Sequence, residues 1–149
     1  MIQIHDDNYF MEQALKEAHL ALANNEIPIG CVITIDNKII AKAHNQTELL
    51  TDVTAHAEIL AITSACDYLG GKYLNDCTIY ITMEPCPMCA GALKWSQIGK
   101  IVYGAADDKN GFMNYGKSML HPKTKVAFGV KMDACSKLVT NFFKLKRKK

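Results

Sequence analysis

The chain has 149 residues, of which 49% are hydrophobic and 21% charged, and its formal net charge is +2. This length and composition predict one globular domain, over residues 1–149, and argue against a disordered chain. No apolar run approaches the ~18 residues that a membrane span requires, and the first seven residues do not resemble a secretory signal. We therefore expect a cytoplasmic protein without a membrane contact, whose six cysteines are reduced.

The positive charge is concentrated at the C-terminus. Five of the 17 basic residues fall between Lys144 and Lys149, so residues 1–143 carry 12 basic and 15 acidic side chains, a formal charge of −3. One interpretation of this basic segment is a solvated helix end, because cations complement the helix dipole there. The other is a contact with the phosphate backbone of a nucleic acid.

The first part of the chain predicts a helix followed by a hairpin. Asp6 or Asp7 is the predicted N-cap of a helix whose apolar residues recur at helical spacing until Asn24-Asn25. Two β-branched runs, residues 29–35 and 38–43, then flank a short polar turn. Two such runs around a turn indicate a β-hairpin.

The middle of the chain alternates between helical and strand patterns. Thr54 is the predicted cap of a second helix, which Gly70-Gly71 ends. A strand, a helix and a strand are then predicted over residues 78–82, 86–95 and 100–104.

The last part of the chain predicts a long loop, a strand and a terminal helix. Residues 106–123 are rich in Gly, Asn, Lys and Asp and are predicted to form the loop. A fifth strand is predicted over residues 126–130, and Asp133 is the predicted cap of a basic C-terminal helix over residues 132–149. Strands separated by helices indicate an α/β fold whose later strands are joined by parallel crossovers.

Two short segments carry the residues with chemical potential, Thr54-Ala-His-Ala-Glu58 and Pro85-Cys-Pro-Met-Cys89. His56, Cys86 and Cys89 are three good zinc ligands, and they leave a fourth tetrahedral position open for water, as in a catalytic zinc site. Glu58 is not needed as a ligand and can move protons to and from that water. The pattern H-x-E…P-C-x-x-C is that of zinc deaminases acting on cytosine or adenine.

Both ligand segments are expected at helix starts. Two residues apart inside a helix, His56 and Glu58 would point in different directions, but in the first turn both can face a metal at the helix end. Free backbone N–H groups and the helix dipole favour the thiolates of Cys86 and Cys89 at the other helix start. We therefore expect two helix starts to meet at one sheet edge and to form one zinc site per chain.

Two other interpretations of the cysteine pair exist. Cys86-Pro-Met-Cys89 after a strand is also typical of a thiol redox protein, although that hypothesis leaves His56 and Glu58 unexplained. A purely structural zinc would need a fourth protein ligand, for which Glu84 or Cys77 are the candidates.

Beyond the zinc motif, the chain resembles the bacterial tRNA-specific adenosine deaminases of the cytidine and deoxycytidylate deaminase superfamily, which convert the wobble adenosine of an anticodon to inosine. The matching segments run nearly end to end: Glu26-Ile-Pro-Ile-Gly30, Asn45, Asp52-Val-Thr-Ala-His-Ala-Glu58, Tyr80-Ile-Thr-Met-Glu-Pro-Cys-Pro-Met-Cys-Ala-Gly-Ala92, Ile101-Val-Tyr-Gly-Ala105, Asp107-Asp-Lys-Asn-Gly111 and Phe142-Phe143.

The resemblance implies a three-layer α/β/α sandwich around a mixed five-stranded sheet, a homodimer and a tRNA anticodon loop as partner. It also implies one Zn²⁺ per chain on His56, Cys86 and Cys89, with Glu58 as the proton shuttle. The substrate contacts it implies are Asn45, the backbone N–H of Ala57, Ile27 and Pro85. Asp107 and Phe143 are further candidate contacts, although one of Phe142 and Phe143 is expected in the core. Candidate contacts to the RNA backbone are Lys109, Lys144, Lys146 and Arg147.

Some segments depart from the family pattern. Val53 stands where the family usually has proline, Pro87 where it usually has another residue, and residues 111–118 and 120–124 differ from the family's loop. These departures favour an alternative with the same chemistry, in which the substrate is a free base or nucleoside of the guanine, cytidine or adenosine type.

Overall fold

The structure of the protein, a computed structural model, describes residues 3–147. Its elements in chain order are α1 (Asp7–Ala23), β1 (Gly30–Ile35), β2 (Lys38–His44), α2 (Ala57–Leu69), β3 (Cys77–Met83), α3 (Pro87–Ser96), β4 (Lys100–Ala105), β5 (Lys125–Phe128) and α4 (Met132–Arg147). Two short 3₁₀ turns, Phe112–Asn114 and Lys117–Met119, lie between β4 and β5. Among residues 3–147, no helix has the length and apolarity that a membrane span needs.

The five strands form one mixed sheet in the order β2-β1-β3-β4-β5. Strand β1 is antiparallel to both β2 and β3, whereas β3, β4 and β5 run parallel. Parallel strands need crossover connections: α3 connects β3 to β4, and the segment with the two 3₁₀ turns connects β4 to β5. The predicted mixed five-stranded sheet with parallel later strands is confirmed.

Side chains that alternate along the strands divide the core into two layers. On one face, Ile79 and Ile81 pack in a cluster with the alanines of α2 and with Leu93 of α3. On the other face, Tyr80 packs in a second cluster with residues of α1 and α4. Since successive side chains of a strand point to opposite faces, helices cover both sides of the sheet, and the predicted three-layer α/β/α sandwich is confirmed.

The contact between α1 and β1 depends on Gly30. A Cβ atom at this position would overlap the backbone oxygen of Ala14 and the backbone nitrogen of Ala18. The absence of a side chain therefore lets the helix backbone lie directly on the strand. This close packing fixes the start of β1, immediately after residues 26–29.

Parallel strands bring several loops to the same edge of the sheet. Strands β3 and β4 pair through Met83 and Ala105, so the segments that follow them leave the sheet side by side. The segment that follows β2 returns to the start of α2 at the same edge, because Asn45 bonds the start of that helix. This edge carries the residues that the sequence analysis singled out.

Three predicted boundaries are corrected. Thr54 does not cap α2: its backbone N–H and its hydroxyl both donate to Asp52, and His56 occupies the N-cap position instead. Helix α4 begins at Met132, so Asp133 lies in its first turn and not at its cap. The strand predicted over residues 126–130 ends at Phe128, because Gly129 adopts a φ of 90°. The predicted helix 132–149 is observed to Arg147; Lys148 and Lys149 lie outside the described residues.

Candidate metal centre

Two helix starts carry the predicted metal ligands. His56 is the N-cap of α2 and Cys86 is the N-cap of α3, both with extended backbone angles. Cys89 follows in the first turn of α3, and Pro87 occupies the start of that helix, where its missing N–H costs no hydrogen bond. The sequence expectation that both segments lie at helix starts is therefore confirmed.

The geometry of the three side chains fits a zinc ion. The Nδ1 atom of His56 lies 3.7 Å from the sulfur of Cys86 and 3.5 Å from the sulfur of Cys89. All three ligand atoms lie within 4.8 Å of one another. A tetrahedral zinc with bonds of about 2.3 Å to sulfur and about 2.0 Å to nitrogen holds such atoms about 3.6 Å apart. One imidazole and two sulfurs are also the donor types that zinc prefers.

The two cysteines shift each other's pKa in opposite directions. Hydrogen bonds from Cys89 and His56 lower the pKa of Cys86 to about 4, and the same contact with Cys86, together with burial, raises the pKa of Cys89. This low pKa favours, for Cys86, the thiolate form that a metal ligand requires. Metal binding at Cys89 requires that its proton be released.

Glu58 lies beside the three ligands, in the first turn of α2. It is only 4% exposed. Burial, with a smaller contribution from the Cys86 thiolate, raises the pKa of this carboxyl to about 7. A carboxyl group with a pKa near neutrality can both accept and donate a proton, as general acid–base catalysis requires.

A cavity of about 380 Å³ opens next to these residues. Four predicted substrate contacts line it together with His56, Cys86 and Glu58: Ile27, Asn45, Asp107 and Phe143. Ala57 and Pro85 are buried and do not line the cavity, whereas Pro87 lines it where Pro85 was expected to contact a base. The size suits one nucleobase, since ligand pockets begin at about 300 Å³.

Asn45 connects the cavity to the start of α2. Its side-chain oxygen accepts a hydrogen bond of 2.8 Å from the backbone N–H of Ala57. Since the backbone N–H of Ala57 can only donate, the Asn45 atom that it contacts is the oxygen. The amide nitrogen of Asn45 therefore points away from Ala57. The N–H of Ala57 that was expected near the reacting centre is thus bound to Asn45.

The predicted RNA-backbone contacts lie outside the cavity. Lys109 is exposed in the loop after β4, and Lys144, Lys146 and Arg147 are exposed on the last turns of α4. Lys146 lines a second cavity of about 560 Å³, which shares Ile27, Thr47 and Phe143 with the first. The basic end of α4 is therefore adjacent to the candidate metal centre.

Sequence reasoning missed several residues at this site. Thr47, Glu84, Asn110 and Val139 also line the cavity. The sequence had offered Glu84 only as a fourth ligand of a structural zinc, and it is not part of the three-residue cluster. Val139 gave no signal, because only the packing of α4 against the sheet brings it to the site.

Comparisons with known proteins agree with this geometry. Residues 4–105 match the family model of the cytidine and deoxycytidylate deaminase zinc-binding region. The chain is 41% identical over 148 residues to the tRNA-specific adenosine deaminase of Bacillus subtilis, covering 96% of this chain and 92% of that protein.

Two solved structures are similar as well. One, from a study of A-to-I editing by tRNA:A34 deaminases at the wobble position, is 38% identical with a TM-score of 0.82, over 87% of this chain and 98% of the other. The guanine deaminase of Bacillus subtilis is 38% identical with a TM-score of 0.66, over 68% of this chain and 66% of the other. The chain belongs to the zinc-binding cytidine and deoxycytidylate deaminase family, together with the bacterial tRNA-specific adenosine deaminases.

Proposed function

We propose that this protein hydrolyses adenosine at the wobble position of tRNA to inosine, with release of ammonia and with one zinc ion per chain. The observation that carries the proposal is the meeting of His56, Cys86, Cys89 and Glu58 at one cavity of nucleobase size. Relatives named tRNA-specific adenosine deaminase support the tRNA substrate, since their similarity extends over nearly the whole chain.

The three ligands hold the metal, and Glu58 transfers the protons. Zinc held by His56, Cys86 and Cys89 supplies a nucleophile near neutral pH, because it lowers the pKa of water. Glu58 accepts the proton of that water and donates it to the ring nitrogen N1 of adenine. It then accepts the second proton of the added water and donates it to the amino group, which leaves C6 as ammonia. The overall balance is adenosine and water to inosine and ammonia.

Cavity-lining side chains hold the base beside Glu58. Among residues 3–147, no hydrogen-bond acceptor is found for the amide nitrogen of Asn45, so this group is free to donate to the nucleotide. Ile27 offers an apolar surface to the base, and Asp107 lines the same cavity from the loop after β4. An adenosine in a single-stranded anticodon loop enters such a pocket at low cost, because it need not leave a duplex.

The end of α4 offers the surface for the rest of the RNA. Phe143 is 41% exposed and lines both the metal cavity and the neighbouring one, where Lys146 also lies. An exposed aromatic ring beside cationic groups is a typical platform for single-stranded RNA. Lys144, Arg147 and Lys109 extend the positive surface for phosphate contacts.

A free purine base is the second candidate substrate. Its support is the similarity to a guanine deaminase of known structure, although that match covers less of both chains. A free base would use the metal cavity and would not need the basic end of α4.

An inosine assay separates the two candidates. The zinc-loaded protein is incubated with an anticodon stem-loop that carries a wobble adenosine, and in parallel with free guanine, adenosine and cytidine. We expect inosine in the stem-loop and no ammonia from the free compounds, with Glu58→Gln as the inactive control. Ammonia from a free base with an unchanged stem-loop would contradict the tRNA proposal.

We also infer a homodimer. Helices α2 and α3 expose several large apolar residues, Tyr68, Leu69, Met88 and Trp95, of which Trp95 is the most exposed at 82%. Exposed apolar groups of this kind mark interaction surfaces. Light scattering should give twice the chain mass, and Trp95→Lys should shift it towards the monomer.

We infer in addition that residues 1–149 form one deaminase domain. The segment after residue 105 adds β5 to the same sheet, and α4 packs on β4. A tRNA substrate also supports a cytoplasmic location, in agreement with six free cysteines.

A further inference from the structure

Two loops frame the metal cavity, and each bonds to a buried glutamate that the proposed chemistry does not use. The first loop, residues 45–56, carries Asn45 and Thr47 to the cavity, and the second, residues 106–113, carries Asp107 and Asn110. Glu26 is 1% exposed and Glu84 is 6% exposed. Neither side chain belongs to the three-residue metal cluster.

Glu84 holds the second loop at two points. One carboxylate oxygen accepts the backbone N–H of Asp107 and the other accepts the backbone N–H of Met113, each at 3.0 Å. The loop approaches this carboxylate so closely that a Cβ atom at Gly111 would overlap it. Backbone N–H groups of this loop thus donate to the Glu84 carboxylate, as those of a strand donate to a neighbouring strand.

Glu26 holds the first loop in the same way. One carboxylate oxygen accepts the backbone N–H of Leu49 at 2.8 Å. The other accepts the backbone N–H of Glu48 at 3.1 Å and lies 3.4 Å from the hydroxyl of Thr47. These bonds fix the chain just after Asn45.

Within residues 3–147, neither carboxylate has a cationic partner. Among residues 3–147, the ion pairs are His44 with Glu17 and Lys131 with Glu12, so no lysine, arginine or histidine nitrogen neutralises Glu26 or Glu84. A buried carboxylate without a counter-charge is costly unless hydrogen bonds satisfy it. Here backbone N–H groups of the two loops satisfy it, and charge-assisted bonds of this kind are stronger than neutral ones.

We propose that Glu26 and Glu84 are positioning residues, which hold the two substrate-facing loops at the distance from the metal cluster that the reaction requires. Glu84 positions Asp107 and Asn110, and Glu26 positions Asn45 and Thr47. The effect on turnover rests on the function proposed above, whereas the effect on the loops does not.

Glutamine is the informative replacement because it keeps the shape and loses one acceptor. In Glu84→Gln, one of the two loop N–H groups faces the amide NH₂ in place of an oxygen, and two donors cannot bond each other. Asp108→Asn is the matched control for the second loop, since Asp108 is exposed and its side chain makes no hydrogen bond among the described residues. Asp67→Asn, at an exposed position of α2 that lines neither of the two cavities, is the corresponding control for Glu26→Gln.

The first measurement is amide hydrogen exchange of the zinc-loaded protein. In Glu84→Gln, we expect exchange at Asp107 or Met113 to accelerate roughly tenfold or more, as for a lost bond to a charged acceptor. In Glu26→Gln, we expect the same at Glu48 or Leu49. Protection in β3 should stay unchanged, and zinc content should remain one per chain. Unchanged loop exchange in both variants would overturn the proposal without bearing on the deaminase function.

The second measurement separates positioning from a merely structural role. We expect kcat/KM for the stem-loop to fall at least tenfold in both variants at a temperature far below unfolding, and to stay within twofold in the controls. If only the melting temperature falls and kcat/KM does not, the residues are structural and the proposal is wrong. Should Glu84→Gln fail to fold, Glu84→Asp keeps both oxygens on a shorter side chain. Normal loop exchange and normal kcat/KM in that variant would equally overturn the proposal.

Discussion

The side-chain oxygen of Asn45 accepts the backbone N–H of Ala57 at 2.8 Å, which links a cavity-lining side chain to the residue between His56 and Glu58. The bond joins the end of β2 to the start of α2 across the loop. The amide oxygen of Asn45 is therefore bonded to the helix, and the amide nitrogen is left for the cavity. Substitutions at Asn45 therefore affect two separable properties, the stability of the fold and the turnover of the substrate.

Asn45→Asp should keep the bond to Ala57 and lose the donor that faces the cavity. We expect kcat/KM to fall roughly 10- to 100-fold while the free energy of unfolding changes by less than about 1 kcal/mol. Asn45→Ala should in addition leave the N–H of Ala57 unpaired, at a cost of about 1–3 kcal/mol. Steady-state kinetics and urea unfolding of both variants test this, and equal stability of the two would contradict the assigned bond.

Glu58→Gln should bind zinc and fold as the parent protein does, because the replacement is isosteric. Its turnover should fall by roughly 10²–10⁴, the usual contribution of a general acid–base group. Metal analysis and the inosine assay are made on the same preparation. Near-parental activity with a full zinc load would show that another group moves the protons.

Cys89→Ser should lose zinc, whereas Cys66→Ser should retain one zinc per chain. Cys66 lies on α2 and does not belong to the metal cluster, so it is a matched control. A strong chelator should lower the melting temperature of the parent protein, because a metal that binds only the folded chain stabilises it. Full zinc content in Cys89→Ser would disprove the assigned ligand set.

The two phenylalanines of α4 should have different roles. Phe142 is buried, so Phe142→Ala should cost about 3 kcal/mol of folding free energy. Phe143 is partly exposed at the cavity, and Phe143→Ala should cost below about 1 kcal/mol while it weakens binding of the stem-loop. Thermal unfolding and RNA titration distinguish them. The reverse pattern would show that Phe143 belongs to the core.

The basic end of α4 should determine how steeply RNA binding depends on salt. Replacing Lys144, Lys146 and Arg147 by alanine should weaken stem-loop binding and reduce the slope of log K against log salt by up to about 2–3. A variant with Lys16, Lys38 and Lys42 replaced has the same change in charge at exposed positions elsewhere and should bind normally. Equal slopes in the two variants would favour the solvated helix end.

The sequence predicted the sheet and the metal cluster because both depend on short-range patterns. Hydrophobic periodicity located all five strands and four helices, and ligand spacing identified His56, Cys86 and Cys89. Thr54 was wrongly predicted as the N-cap of α2, because its backbone N–H and its hydroxyl donate to the side chain of Asp52, two residues earlier. The role of Glu84 could not be predicted, since its partners at Asp107 and Met113 lie 23 and 29 residues further along the chain.

The position of β5 at the end of the sheet has a consequence for how such enzymes diversify. The metal cluster and Glu58 fall within residues 4–105, whereas the loop after β4, β5 and α4 come later in the chain, and of these the loop and α4 line the cavity. An edge strand with its following helix can be replaced without re-pairing the inner strands. One part of the substrate-facing wall, Ile27, Asn45 and Thr47, therefore belongs to the same stretch as the metal cluster, and the other part follows it. Grafting residues 106–147 from a relative would change the second part alone and leave the catalytic residues unchanged.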